Sequence, residues 1–150
     1  MSTYDVILKE LQPQLVAGIR AMLPNYGAIG SLFEELFAHL GRYGVGGLAV
    51  GLHHLAPDTE HEVDVEVAVY LDRPIPQGGR VAIHTLPGGT VVTTLYKGPW
   101  TQIGDAYAML MTWIDTKGYQ ICGPSRELYL HMGATPDSHM TEIQIPVQRR

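Results

Sequence analysis

The chain has 150 residues, 45% hydrophobic and 17% charged, which supplies enough apolar side chain for a core and excludes a disordered chain. Ten basic against fifteen acidic residues leave a formal charge of -5, which argues against a face built to neutralise nucleic-acid phosphates. The single cysteine, Cys122, rules out an internal disulfide and fits a reducing compartment; beside Gly123-Pro124 it reads as a small packed residue rather than a nucleophile. The first residues show no basic segment followed by an apolar run, and no apolar stretch reaches the length of a membrane span, so the expected setting is cytoplasmic.

Residues 4–11 read as a first strand, with Tyr4, Val6 and Leu8 alternating against Asp5, Ile7 and Lys9. Gln12-Pro13-Gln14 reads as a turn, and residues 15–22 as the returning strand of a hairpin. After a loop at 23–27, Ile29, Leu32, Phe33, Leu36, Leu40 and Tyr43 keep helical spacing. That spacing predicts a helix over 28–43 with one stripe toward a core, Glu34 and Glu35 in solvent, and Gly44, Gly46 and Gly47 as its stop. Strands follow at 47–55 and 63–71 around a loop at 56–61; Val63, Val65, Val67 and Val69 alternate with Asp64, Glu66, Ala68 and Tyr70. Residues 72–79, rich in proline and glycine, read as a linker between halves.

The second half repeats the order. Residues 80–86, the turn Pro87-Gly88-Gly89 and residues 90–97 read as a hairpin. Gly98-Pro99 then leads into a helix over 100–116 with Ile103, Tyr107, Leu110, Met111 and Ile114 at helical spacing. Strands at 119–122, 127–132 and 141–147 finish the chain, the last two separated by a polar loop at 133–139. Val65-Glu66-Val67-Ala68-Val69 and Thr141-Glu142-Ile143-Gln144-Ile145 share a glutamate in an alternating strand. The expected architecture is therefore α+β: one domain over 1–150, with pseudo-repeats of about 1–72 and 79–150. Its antiparallel sheet should carry two long helices on one face and leave a cleft along an internal two-fold axis.

After the Gly123-Pro124 turn, Leu128 and Leu130 point to one face of a strand and are expected to meet a core; Glu127, Tyr129 and His131 point to the other. A carboxylate beside an aromatic ring on a strand suits a ligand that is apolar and positively charged; the alternative is an exposed sheet face with a surface glutamate. In an apolar cleft the Glu127 carboxyl is expected to have a raised pKa until a cation arrives. Trp100, at a helix start, and Tyr129 suit stacking on a planar or cationic ligand, with core packing as the alternative for Trp100. Tyr96 can face either way, whereas Tyr107 and Phe33 lie on helix stripes and read as core. His53, His54 and His61 with Glu62 lack a metal-ligand spacing, and no serine sits in a nucleophile elbow. Pro87-Gly88-Gly89 precedes a strand rather than a helix, so it is no phosphate cradle, and neither metal nor cofactor is expected.

Several segments together resemble the GyrI-like small-molecule-binding domain, which is also the effector-binding domain of many AraC-type and MerR-type transcription regulators. They are Thr85-Leu86-Pro87-Gly88-Gly89, Tyr96-Lys97-Gly98-Pro99-Trp100, Gly118-Tyr119, Gly123-Pro124-Ser125-Arg126-Glu127-Leu128-Tyr129-Leu130 and Thr141-Glu142-Ile143-Gln144-Ile145-Pro146-Val147. The opening segments Tyr4-Asp5-Val6, Lys9-Glu10-Leu11 and Val16-Ala17-Gly18-Ile19-Arg20 also fit the family. The resemblance implies a tandem repeat and a central cleft where a strand glutamate and aromatics take hydrophobic, often cationic, small molecules. The family glutamate falls on Glu127, its following tyrosine on Tyr129, and its helix-start aromatic on Trp100. No residues are left for a helix-turn-helix region, so a stand-alone binding protein is expected, without direct nucleic-acid or membrane partners and with a homodimer or protein partner left open. The resemblance also implies an enzymatic alternative, hydrolysis of reactive cyclopropane-containing compounds with Glu127 as base and Tyr129 as acid, and a third reading as a gyrase-inhibitor-like interaction protein.

Overall fold

Alternation and helical spacing resolve into nine strands and two helices in the computed structural model, which describes residues 5–54 and 62–150. The strands are β1 (Ile7–Leu11), β2 (Gln14–Leu23), β3 (Ala49–His54), β4 (Val63–Tyr70), β5 (Ala82–Leu86), β6 (Gly89–Lys97), β7 (Tyr119–Ile121), β8 (Ser125–His131) and β9 (Met140–Arg149). The helices are α1 (Ile29–Gly41) and α2 (Gly104–Thr116), preceded by the 3-10 turns Tyr26–Ala28 and Trp100–Gln102. The expected strand start at Tyr4 and the loop at 56–61, including His61, lie outside the described residues. The fold is α+β with antiparallel strand pairing. No described helix is long and apolar enough to cross a membrane.

Neither expected hairpin forms. β1 pairs with β6, Leu11 opposite Gly89 and Ile7 opposite Thr93, while β5 pairs with β2, Gln14 opposite Leu86 and Gly18 opposite Ala82. The connectors explain it. Each is two residues long, and a two-residue hairpin needs positive φ at its first central position. In Gln12-Pro13 that position is a glutamine, which resists positive φ, and in Pro87-Gly88 it is a proline whose ring locks φ negative. The chain accordingly divides into two compact units: Gln12–Gly88, and the residues through Leu11 together with Gly89–Arg150.

In the unit Gln12–Gly88 the strand order is β3-β4-β2-β5. Opposed residues share a face, so Ile19 with Val67 and Ala17 with Val69 form an apolar patch. Leu32, Leu36 and Leu40 of α1 pack on that patch, one stripe at helical spacing. His39 on the same helix donates from Nε2 to the Pro76 carbonyl (2.7 Å), which ties the 72–79 segment to α1. On the opposite face His84 of β5 reaches across β2 to the buried Glu66 of β4. It can do so because Gly18 lies between them: a Cβ there would stand 2.5 Å from Glu66 Oε2. His54 Nε2 lies 3.5 Å from Glu66 Oε1, and Arg20 grips Asp64 with two hydrogen bonds of 3.0 and 2.8 Å.

In the other unit the order is β1-β6-β9-β8, with β7 on the end of β9. Ile143, Ile145 and Val147 of β9 and Val92 and Tyr96 of β6 pack against Ala106, Leu110 and Ile114 of α2. Burying Leu110 and Ile114 contributes about 1.5–3 kcal/mol each. On the face away from α2, Glu142 accepts from Lys9 (2.9 Å), Thr93 (3.0 Å) and Gln144 (2.7 Å). In each unit an edge strand thus supplies a basic side chain to a glutamate two strands away, Lys9 to Glu142 and His84 to Glu66.

Two further expectations are corrected. Leu128 is buried but Leu130 is 44% exposed, because the ladder to β9 is irregular between Tyr129 and His131 and leaves Leu130 without an opposed residue. Cys122 is exposed rather than packed.

Candidate functional site

β8 fixes the site. Glu127 stands opposite Ile143 and Tyr129 opposite Thr141, so both side chains lie on the face of the sheet that carries α2. Glu127 is 8% exposed on a face it shares with the core residues Ile143 and Ile145. Such a carboxylate requires hydrogen-bond donors, and two phenols provide them. Tyr107 of α2 donates to Glu127 Oε2 (2.6 Å), and Tyr129 donates to Oε1 (3.3 Å). Burial, then the negative charge of Glu127 and the hydrogen bond to it, push the pKa of both phenols well above the ordinary value of 10.0. Both hydroxyls therefore stay protonated and remain donors at neutral pH.

Trp100 joins this group from the turn that opens α2. Its ring meets Tyr129 edge-on, with centroids 5.5 Å apart and planes at 71°, and its indole N–H donates to Thr141 Oγ1 (3.0 Å). On Trp100 also lies the imidazole of His139, stacked at 4.3 Å and 29°. Trp100 is 38% exposed, so the group opens to solvent at this ring.

Tyr96 is 4% exposed and belongs to the core beneath α2, with its hydroxyl donating to the Pro99 carbonyl (2.6 Å). Gly98 permits this contact: its φ is 144°, and a Cβ there would lie 3.0 Å from the Tyr96 hydroxyl. Tyr96 so braces the turn on which Trp100 stands.

The structure thus brings together three of the four residues picked from the sequence, Glu127, Tyr129 and Trp100, and sets Tyr96 behind them. It adds Tyr107, read from sequence as core, together with Thr141 and His139. One signal pointed to Tyr107: a tyrosine on a buried stripe must place its hydroxyl on an acceptor, and Glu127 is the carboxylate facing the same core. His53, from the cluster weighed as a metal site, packs edge-on against Tyr26 (4.7 Å, 67°). Among the described residues no group of histidine, cysteine and carboxylate side chains is arranged to hold a metal ion.

Glu127, Tyr107, Tyr129 and Trp100 thus form one cluster on the α2 face of the sheet, open to solvent at the indole. The GyrI-like small molecule binding domain matches residues 4–148, and the chain belongs to that family. Among solved structures it is similar to EcmrR in its complex with DNA, at 26% identity and a TM-score of 0.89, over 98% of this chain and 58% of that one. The isolated C-terminal domain of EcmrR is similar at 26% identity and a TM-score of 0.82, covering 99% of this chain and 100% of that one. The present chain therefore spans 58% of the EcmrR chain seen with DNA. SAV2435 bound to tetraphenylphosphonium shares the fold at 17% identity and a TM-score of 0.61, over 98% and 94% of the two chains. No curated protein matches the sequence.

Proposed function

We propose that this domain is a receptor for a hydrophobic cation, received at Glu127 with Tyr107, Tyr129 and Trp100 around it. The observation that carries the reading is the position of Glu127: a buried carboxylate among aromatic rings, accepting from two phenols beside a half-exposed indole. A cationic ligand gains a charge-assisted contact there, and Trp100 and Tyr129 offer ring surface to its apolar parts. Tyr96 positions Trp100 and does not touch the ligand. A cytoplasmic setting fits the lone, unpaired cysteine.

The hydrolytic alternative needs Glu127 to take a proton and Tyr129 to give one. Both carboxylate oxygens already accept from tyrosines, and a phenol whose pKa is pushed upward releases its proton less readily. Binding is the chemistry these contacts favour. DNA contact is not assigned to this chain, whose proposed part is reception of the ligand.

The test is calorimetric titration of the protein with tetraphenylphosphonium and with neutral triphenylphosphine oxide, each also assayed for turnover. Saturable binding of the cation is expected, with the neutral compound weaker by at least about tenfold, the scale of one charge–charge contact at a partly desolvated site. Equal affinities would remove the cation from the proposal, and turnover of either compound would replace the receptor by an enzyme.

A further inference from the structure

We propose that His139 sets which cations the Glu127 site accepts, by covering one face of Trp100; this rests on the receptor reading above. The imidazole lies on the indole with ring centroids 4.3 Å apart and planes 29° from parallel. That is the position an aromatic cation would take when stacking on Trp100, so His139 already fills the place of a flat ligand on that face.

Each of the two rings is held by anchors of its own. The Trp100 indole is tethered to Thr141, which is buried, and the His139 backbone carbonyl accepts from Gly98 N (2.9 Å). His139 N also closes the 3-10 turn Pro136–Ser138 by donating to the Pro136 carbonyl (3.2 Å). Removing the imidazole therefore uncovers the indole instead of releasing it. The buried Nδ1 of His139 makes no hydrogen bond among the described residues, so what the side chain supplies here is a flat surface, which phenylalanine can also supply. With His139 in place, one face of Trp100 is covered, and a ligand that enters beside Tyr129 meets only the rest of the 38% exposed ring. Compact, non-planar cations lose little by this, whereas flat ones lose a stacking surface.

The test compares wild type, His139→Ala and His139→Phe, with tetraphenylphosphonium as the non-planar probe and ethidium as the flat one. His139→Ala is expected to tighten ethidium by about two- to fivefold, the scale of one exposed cation–π contact, and to leave tetraphenylphosphonium nearly unchanged. His139→Phe is expected to bind both probes as wild type does. A readout without ligand is acrylamide quenching in a Trp113→Phe background, where Trp100 is the remaining indole. Quenching should rise in His139→Ala and stay at the wild-type level in His139→Phe. Wild-type binding with no gain for ethidium in His139→Ala, a loss in its place, or His139→Phe behaving like His139→Ala would each overturn the assignment of His139 alone. If wild type bound neither cation, the receptor reading itself would fall and the selectivity with it.

Discussion

Tyr107 serves two layers of the molecule at once, its ring packing on the core under α2 and its hydroxyl meeting Glu127 at 2.6 Å. Tyr107→Phe keeps the ring and removes the donor. A hydrogen bond to a charged group contributes about 1.5–3 kcal/mol, so the melting temperature of the ligand-free protein should fall by several degrees. An unchanged melting curve would show that Glu127 does not depend on Tyr107. Alternation of Glu127 with Leu128 and Tyr129, and the family resemblance, made the carboxylate, its tyrosine neighbour and Trp100 legible in the sequence. Tyr107 stayed hidden because helical periodicity counts a tyrosine as apolar and is blind to where its hydroxyl ends. Leu130 was misread for a different reason: a local irregularity in the ladder interrupts the two-residue period, and alternation alone cannot reveal it.

Among the elements, β1 is held to its sheet by more than the β6 ladder, since its Lys9 reaches Glu142 of β9. Burial alone would raise the Glu142 pKa, but hydrogen bonds from Lys9, Gln144 and Thr93 outweigh it and hold the group below its ordinary 4.5. A carboxyl whose folded pKa lies below its unfolded one contributes stability that is fully present above the unfolded value and lost as pH falls through the folded value. Melting temperatures should therefore drop below about pH 4.5, and less steeply in Glu142→Gln. Some slope should remain in that variant, because Asp64 beside Arg20 and Glu35 beside Arg80 are shifted the same way. Identical slopes in the two proteins would exclude Glu142 as a source. Helix positions and most strands were readable from period alone. The partners of β1 and β5 were not, because nearness in sequence favours a hairpin; the warning lay in Gln12-Pro13 and Pro87-Gly88, neither of which can make the tight turn.

For the molecule as a whole, each of the two units lays one helix on its antiparallel strands, but the two carry different chemistry on that face. Val67 stands in β4 as Ile143 stands in β9, each one residue after the shared glutamate; opposite Ile143 is Glu127, and opposite Val67 is Gly51. The helix side of the sheet thus has its strand carboxylate in the Glu127 unit, and a glycine at the matching position in the other. One cation per chain is expected in a titration, and a stoichiometry of two would require a second site. The charge of -5 adds an expectation of negligible duplex binding at physiological salt, which sub-micromolar anisotropy titrations with random DNA would contradict.

The central claim is that Glu127 anchors positive charge, and Glu127→Gln tests it most directly because it keeps the shape and removes the charge. Tetraphenylphosphonium and triphenylphosphine oxide are titrated into both proteins, with a melting curve for each. Affinity for the cation should fall by roughly ten- to more than a hundred-fold, the equivalent of about 1.5–3 kcal/mol of charge–charge attraction at a partly desolvated site, while affinity for the neutral compound changes far less. Equal weakening of both ligands in a protein that still folds would contradict the account.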